Sequence, residues 1–290
     1  MHTANFPLIL GVCACSLGLV GCGGAPLAVR RPSPPNVAAR VTTSSVPCAV
    51  PGTNGRQSSL GSWQASVSER HIVVFGPGTR YAFTAFVRLQ RSVILDSGEI
   101  SVCERPIGLV TFASPAAHRR WEEAGQPSLN DEPAAYVVPI GSFSFLPTGT
   151  TLSYREIRRW STSPRAIVPG VKRHLAFMSG HGGQARRVSD LVLLRSYTFL
   201  LGGAPISRTA RRTILAAIRA LHTPSCPVRQ TVQRYLRFCV RTTLLEDEAT
   251  IDPTSPRAIR LSERLLTRSR LYPDLTPGQA VEEIDFQGAS

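Results

Sequence analysis

The period of the apolar residues changes twice along this chain, and that change limits the folds open to it. From Ile72 to Phe112 the apolar residues come in short runs rich in β-branched and aromatic side chains. Ile72–Phe75, Tyr81–Leu89, Ser92–Leu95, Ile100–Cys103 and Ile107–Phe112 read as strands of a meander. Gly76-Pro77-Gly78 and Asp96-Ser97-Gly98 supply turns between them. From Ser114 the spacing is helical. Ser114 as N-cap with Pro115 at the first position predicts a helix over 115–124 that stops before Gly125. Ser153-Tyr154-Arg155-Glu156 is a capping-box pattern opening a helix to about Trp160. Another helix is expected over 164–177, interrupted or restarted at Pro169-Gly170. Residues 184–201 carry Val188, Leu191, Leu194 and Leu201 at helical spacing. Residues 207–221 place Ala210, Ile214, Ala217, Ile218 and Leu221 on one face, with Arg208, Arg211, Arg212 and Arg219 largely away from it. Then a period of two returns. Leu236, Phe238 and Val240 alternate with Arg237, Cys239 and Arg241 in a strand over 232–241, and 248–252 and 257–264 form a hairpin about Asp252-Pro253-Thr254-Ser255. Strands, helices, then strands predict an α+β fold with an antiparallel sheet rather than βαβ units.

The N-terminus has a different character. Phe6–Val20 is an apolar run of about 15 residues, short of the roughly 20 that span a bilayer, and it suits the apolar core of a signal peptide. Leu19-Val20-Gly21-Cys22 follows and resembles the lipobox of bacterial lipoproteins. The resemblance implies diacylglyceryl attachment to the Cys22 thiol and cleavage just before it. Only His2 and the terminal amine precede the apolar run, where signal peptides usually carry Lys or Arg. Pro26–Pro51 is rich in Pro, Ser, Thr and Val and reads as an extended tether. The organisation expected is a signal peptide over 1–21, lipidated Cys22 with a tether over 22–60, and one extracytoplasmic domain over 61–285.

Export sets the cysteine chemistry. Cys13 and Cys15 leave with the signal peptide and Cys22 takes the lipid, so four of seven cysteines remain: Cys48, Cys103, Cys226 and Cys239. An even remainder in an oxidising compartment points to two disulfides. Of three connectivities, Cys48–Cys103 with Cys226–Cys239 is favoured because both pairs are local. Zinc is disfavoured because no two of the four have CxxC spacing.

Net charge is +14 and Lys172 is the only lysine. A GC-rich genome would favour Arg codons over Lys codons, but the excess of base over acid is physical and suits an anionic membrane surface. Nucleic acid is not an expected partner of an exported chain. The basic stretch 207–221 reads either as a helix resting on a membrane or as a core-packed helix with a solvated Arg face.

Several segments together resemble an actinobacterial cell-envelope family of unknown function. The match runs through Phe112-Ala113-Ser114 and Trp121-Glu122-Glu123-Ala124-Gly125-Gln126-Pro127, then Leu152–Pro164, Ala204-Pro205-Ile206-Ser207 with Arg211–Leu221, and Ile251-Asp252-Pro253-Thr254. The resemblance covers about residues 70–270. It implies a membrane-anchored protein whose domain is a curved antiparallel sheet with helices packed on one face, distantly like the lipoprotein-carrier and sigma-regulator fold. On that basis the expected function is non-enzymatic binding or carriage of a lipid or other apolar ligand at the envelope. The alternative is an interaction or sensor lipoprotein touching a membrane protein or wall component, and a third reading is a hydrolase whose pocket is assembled from scattered residues.

Catalytic patterns are missing from the sequence. There is no G-x-S-x-G elbow and no HExxH, so no catalytic residue, cofactor or metal is assigned. His181-Gly182-Gly183 reads as a flexible loop. Glu246-Asp247-Glu248 lacks calcium-loop spacing and reads as a solvated hairpin turn.

Overall fold

The computed structural model describes residues 63–76, 79, 81–96, 99–129, 134–139, 152, 154–179, 188–221, 229–230 and 234–287. The expected signal peptide, Cys22, the expected tether with Cys48, Ser153, His181-Gly182-Gly183 and Cys226 lie outside the described residues. The strands are β1 (Trp63–Phe75), β2 (Phe83–Asp96), β3 (Glu99–Pro106), β4 (Thr111–Phe112), β5 (Ala134–Pro139), β6 (Arg229–Gln230), β7 (Leu236–Arg241), β8 (Leu245–Asp252), β9 (Arg257–Leu265) and β10 (Ala280–Gln287). They form one sheet in the order β5-β3-β2-β1-β10-β9-β8-β7-β6, with β4 added beside β2. Every pairing is antiparallel. Two meanders, one from each end of this region, are stitched together where β1 pairs with β10.

The first meander is longer-stranded than its apolar runs suggest. β2 runs unbroken for 14 residues through Gln90-Arg91, which separates two expected strands. Without Gly or Pro a polar stretch does not turn the chain, and these residues pair with β1 on one side and β3 on the other. β1 starts at Trp63, not near Ile72, because the polar residues between Ser66 and His71 hide the alternation that buries Trp63 and Ala65. Ile107–Phe112 is strand only at Thr111–Phe112, since Gly108 turns the chain at φ 72°.

Helix α1 (Pro115–Glu123) has Ser114 Oγ accepting the Ala117 N–H at 3.0 Å and Pro115 at its start, as the sequence predicts. The Trp121–Pro127 run is a helix stop. Gln126 N–H donates to Trp121 O and Gly125 N–H to Glu122 O, a Schellman motif with Gly125 at φ 84°. Trp121 Nε1–H closes the stop by donating to Pro127 O at 3.0 Å.

Helix α2 (Tyr154–Thr162), a 3-10 turn (Pro164–Ala166) and α3 (Ile167–Ser179) follow. Pro169-Gly170 does not break α3. Pro169 falls in the first turn, where the backbone N–H has no helical acceptor to lose. Gly170 lets α3 lie against Trp160, whose ring would sit 2.5 Å from a Cβ there.

Helix α4 (Asp190–Gly203) buries Leu193, Leu194, Ser196, Tyr197, Thr198, Leu200, Leu201 and Gly202, nearly all the way round. A helix of that kind needs cover on both sides. β1 and β7 to β10 lie along one side and α5 (Arg208–Arg219) packs on it too, itself packed on α2 and α3. The apolar face of α5 (Ala210, Ile214, Leu215 and Ile218) belongs to this same core, which settles 207–221 as a core-packed helix. Arg211 is not on its solvated face. Its guanidinium donates to Leu201 O, Ala204 O and Ile206 O and so caps the end of α4. The fold is therefore α+β, an open antiparallel sheet with helices packed against it. No helix among the described residues is long and apolar enough to cross a membrane.

Candidate functional site

Glu246-Asp247-Glu248 is not a solvated turn. It lies inside β8, and strand alternation splits it. Glu246 and Glu248 take one face and pair with Arg241 and Arg237. Asp247 takes the other and is 0% exposed. The turn comes earlier, where Thr242 Oγ1 accepts the N–H groups of Leu244 and Leu245.

Asp247 begins a row of titratable side chains that crosses four strands. It stands opposite Glu263 on β9, Glu263 stands opposite Glu282 on β10, and Glu282 stands opposite His71 on β1. A register shift between Ala280 and Glu282 lets Val281 and Glu282 both be buried and brings Glu282 into line. Glu69, two residues before His71 and so on the same face, lies with its Oε1 3.2 Å from His71 Nδ1. All four carboxylates, Glu69, Asp247, Glu263 and Glu282, are buried.

Helix α4 lays Arg195 over this row. One guanidinium nitrogen is 3.3 Å from Glu263 Oε2 and 3.8 Å from Asp247 Oδ1, and the other bonds Glu282. One guanidinium does not neutralise four buried carboxylates, and the environment separates their behaviour. At Glu69, burial pushes the carboxyl up. The hydrogen bond from His71 and the charges of Arg91, His71 and Arg195 outweigh it, leaving Glu69 below its ordinary range. At Asp247, burial raises the carboxyl from 3.8 to about 7; Arg195 opposes the rise, while the charge and hydrogen bond of Glu263 add to it. Both oxygens of ionised Asp247 lack a donor, so a retained proton supplies the missing hydrogen bond to Glu263. Tyr272 is raised as well, by burial first and then by Glu263, against Arg195. Burial and the neighbouring Glu263 thus favour the protonated form of Asp247 beneath Arg195. Among the described residues no group of three His, Cys, Asp or Glu side chains is arranged to hold a metal ion.

Sequence reasoning missed this row because strand neighbours are far apart in sequence. One signal was present: Arg195 is the one charge in Leu191-Val192-Leu193-Leu194-Arg195-Ser196-Tyr197-Thr198-Phe199-Leu200-Leu201. A cation in a helix buried all round must meet acids.

Of the cysteines singled out, Cys103 lies buried on β3 and Cys239 lies on β7, and each is disulfide-bonded. Neither belongs to the row. A surface cleft of about 460 Å³ opens beside 268–276, lined by Arg268, Arg270, Asp274 and neighbours. It too is separate from the row, and Asp274 is committed to Arg120 and the Thr84 N–H. Comparison with models of known protein families, with curated proteins and with solved structures finds no match.

Proposed function

We propose that the chain is a lipid-anchored extracytoplasmic protein, held through Cys22, that acts as an interaction module of the cell envelope by way of its surface. The observation carrying the choice of surface over cavity is the filled space between sheet and helices. Tyr197, Leu194, Leu200, Leu201, Ile214 and Ile218 are fully or almost fully buried there and pack into one core with Ile251, Leu261, Ile284 and Phe286 of the sheet. A carrier would need that space for its cargo. The anchor is supported by the order of apolar run, Leu19-Val20-Gly21-Cys22 and Pro/Ser-rich tether. Kinship to the actinobacterial envelope family belongs to the same proposal and rests on the Trp121–Pro127 helix stop.

Two measurements test it. Envelope fractionation of cells fed radiolabelled palmitate should show a labelled, membrane-bound chain, and Cys22→Ala should abolish the label. An unlabelled parent chain would remove the anchor. Native mass spectrometry of the purified protein should show no bound lipid beyond the covalent one. A stoichiometric noncovalent lipid would reinstate the carrier reading.

A further inference from the structure

The basic excess is not spread evenly. On the sheet, five cations face acids across the strands, Arg70 and Arg260 with Glu283, Arg91 with Glu104, Arg237 with Glu248, and Arg241 with Glu246, while Arg88, Arg105, Arg257 and Arg264 make no ion pair among the described residues. The helical region differs. α2, α3 and the turn between them carry six cations, α4 and α5 carry five, and the only acids among these elements are Glu156 and Asp190. Arg195 is consumed by the buried row and Arg211 by the end of α4. None of the other nine makes an ion pair among the described residues. On α5, Arg208, Arg212 and Arg219 are exposed and fall within about 40° of one another around the axis. On α3, Lys172 and Arg173 are exposed, and Phe177, one turn beyond Arg173, is 80% exposed.

We infer that this outer face of α3 and α5 docks on anionic phospholipid headgroups. The apolar side of α5 is spent in the core, so the helix does not insert; its cations lie on the headgroups and Phe177 reaches the interface. Charge complementarity selects the occupant, and an aromatic among cations favours a bilayer over a purely ionic polymer. The inference deepens the anchored reading and rests on it. Attachment at Cys22, on that reading, keeps the domain beside the bilayer.

Arginine footprinting tests this on the full chain mixed with vesicles of phosphatidylcholine alone or with phosphatidylglycerol added. Phenylglyoxal modification is read by peptide mass. Arg208, Arg212 and Arg219 should react about fivefold more slowly, or slower still, with anionic vesicles than with neutral ones, and 0.5 M salt should restore the rate. Arg88, Arg264 and Arg268, exposed on the sheet and its C-terminal loop, should change by less than about twofold. Equal rates for α5 in both vesicles, or equal slowing of both sets, overturns the face. Protection by soluble poly-glutamate but not by anionic vesicles overturns it in favour of a polymer partner. Partition is read separately. A chain that enters both vesicle types without arginine protection defeats the face alone. A chain that binds only anionic vesicles, with protection, defeats the anchor alone.

Discussion

Substituting Asp247 by Asn should make the protein more tolerant of alkaline pH. A carboxyl held near 7 in the folded state and at 3.8 when unfolded takes up a proton on folding throughout the interval between those values. The native state therefore binds more protons than the unfolded one, and stability falls as pH rises through about 4 to 7. Above 7 the full cost of holding the charge is roughly 4 kcal/mol. At pH 5 the same group costs less than half of that. Asp247→Asn keeps the volume, removes the ionisation and can still donate to Glu263. The attraction of Arg195 at 3.8 Å acts only on the ionised carboxylate, and its effect is already contained in the folded value of about 7. The quantity to read is thus the difference between two pH values. The stability of Asp247→Asn relative to the parent should improve by about 2–3 kcal/mol from pH 5 to pH 8. Glu69 does not interfere, because a carboxyl below its ordinary range loses its contribution only as pH falls under about 4.5. Urea unfolding followed by circular dichroism, disulfides intact, gives the midpoints. An unchanged pH slope in Asp247→Asn would show that Asp247 is ionised in the fold and that the row holds no proton. The companion change Arg195→Met strips the cation from Glu263, Glu282 and Asp247 and should cost about 3–5 kcal/mol at pH 8, less at pH 5.

Three further outcomes follow from packing and topology. Gly202→Ala drives a Cβ into the Phe286 ring and should destabilise by about 1–3 kcal/mol, whereas Gly203→Ala meets no atom within 4 Å and should be neutral or stabilising in the same unfolding assay. Arg211→Gln uncaps α4 and should cost about 1–2 kcal/mol, against a change within about 0.5 kcal/mol for exposed Arg212→Gln. Non-reducing peptide mapping should find Cys48–Cys103 and Cys226–Cys239. β3 and β7 are six places apart in the sheet, roughly 29 Å along it against the 7 Å limit of a disulfide, so a Cys103–Cys239 peptide would refute the strand order.

Local chemistry was legible and long-range pairing was not. Ser114 caps the helix it precedes, and Asp252 closes the β8–β9 hairpin by accepting from Thr254 and Ser255, whereas α4 begins at Asp190 with Ser189 as its cap and not at 184. Each of these signals lies within a few residues. The α+β class was legible too, because it depends on the order of periods alone. The placement of β1 beside β10 joins residues 213 apart, as in Arg70 with Glu283, and no local pattern encodes it. Everything in the buried row depends on that pairing. His71 meets Glu282 only because the first and last strands are neighbours, and Glu282 meets Glu263 only through the register shift at Val281. The acidic run at Glu246 misled because a strand sends its middle residue to the face opposite its neighbours.

A compositional preference for arginine over lysine does not account for where the acids are placed. A chain enriched in Arg by composition alone has no reason to place its acids beside sheet arginines rather than helical ones. Here Glu104, Glu246, Glu248 and Glu283 each sit where a strand brings an arginine to them, while α3 and α5 contain no acidic residue. Pairing on the sheet has a physical reason, since long strands with like charges side by side would repel. α3 and α5 have the same means of pairing, at i and i+4, but carry no acid for it. Like charges at i and i+4, as in Arg208 with Arg212, cost a few tenths of a kcal/mol in the free domain. A polyanionic surface against the helices would remove that cost. This asymmetry is why the footprinting comparison is set between α5 and the sheet rather than between the protein and a less basic variant.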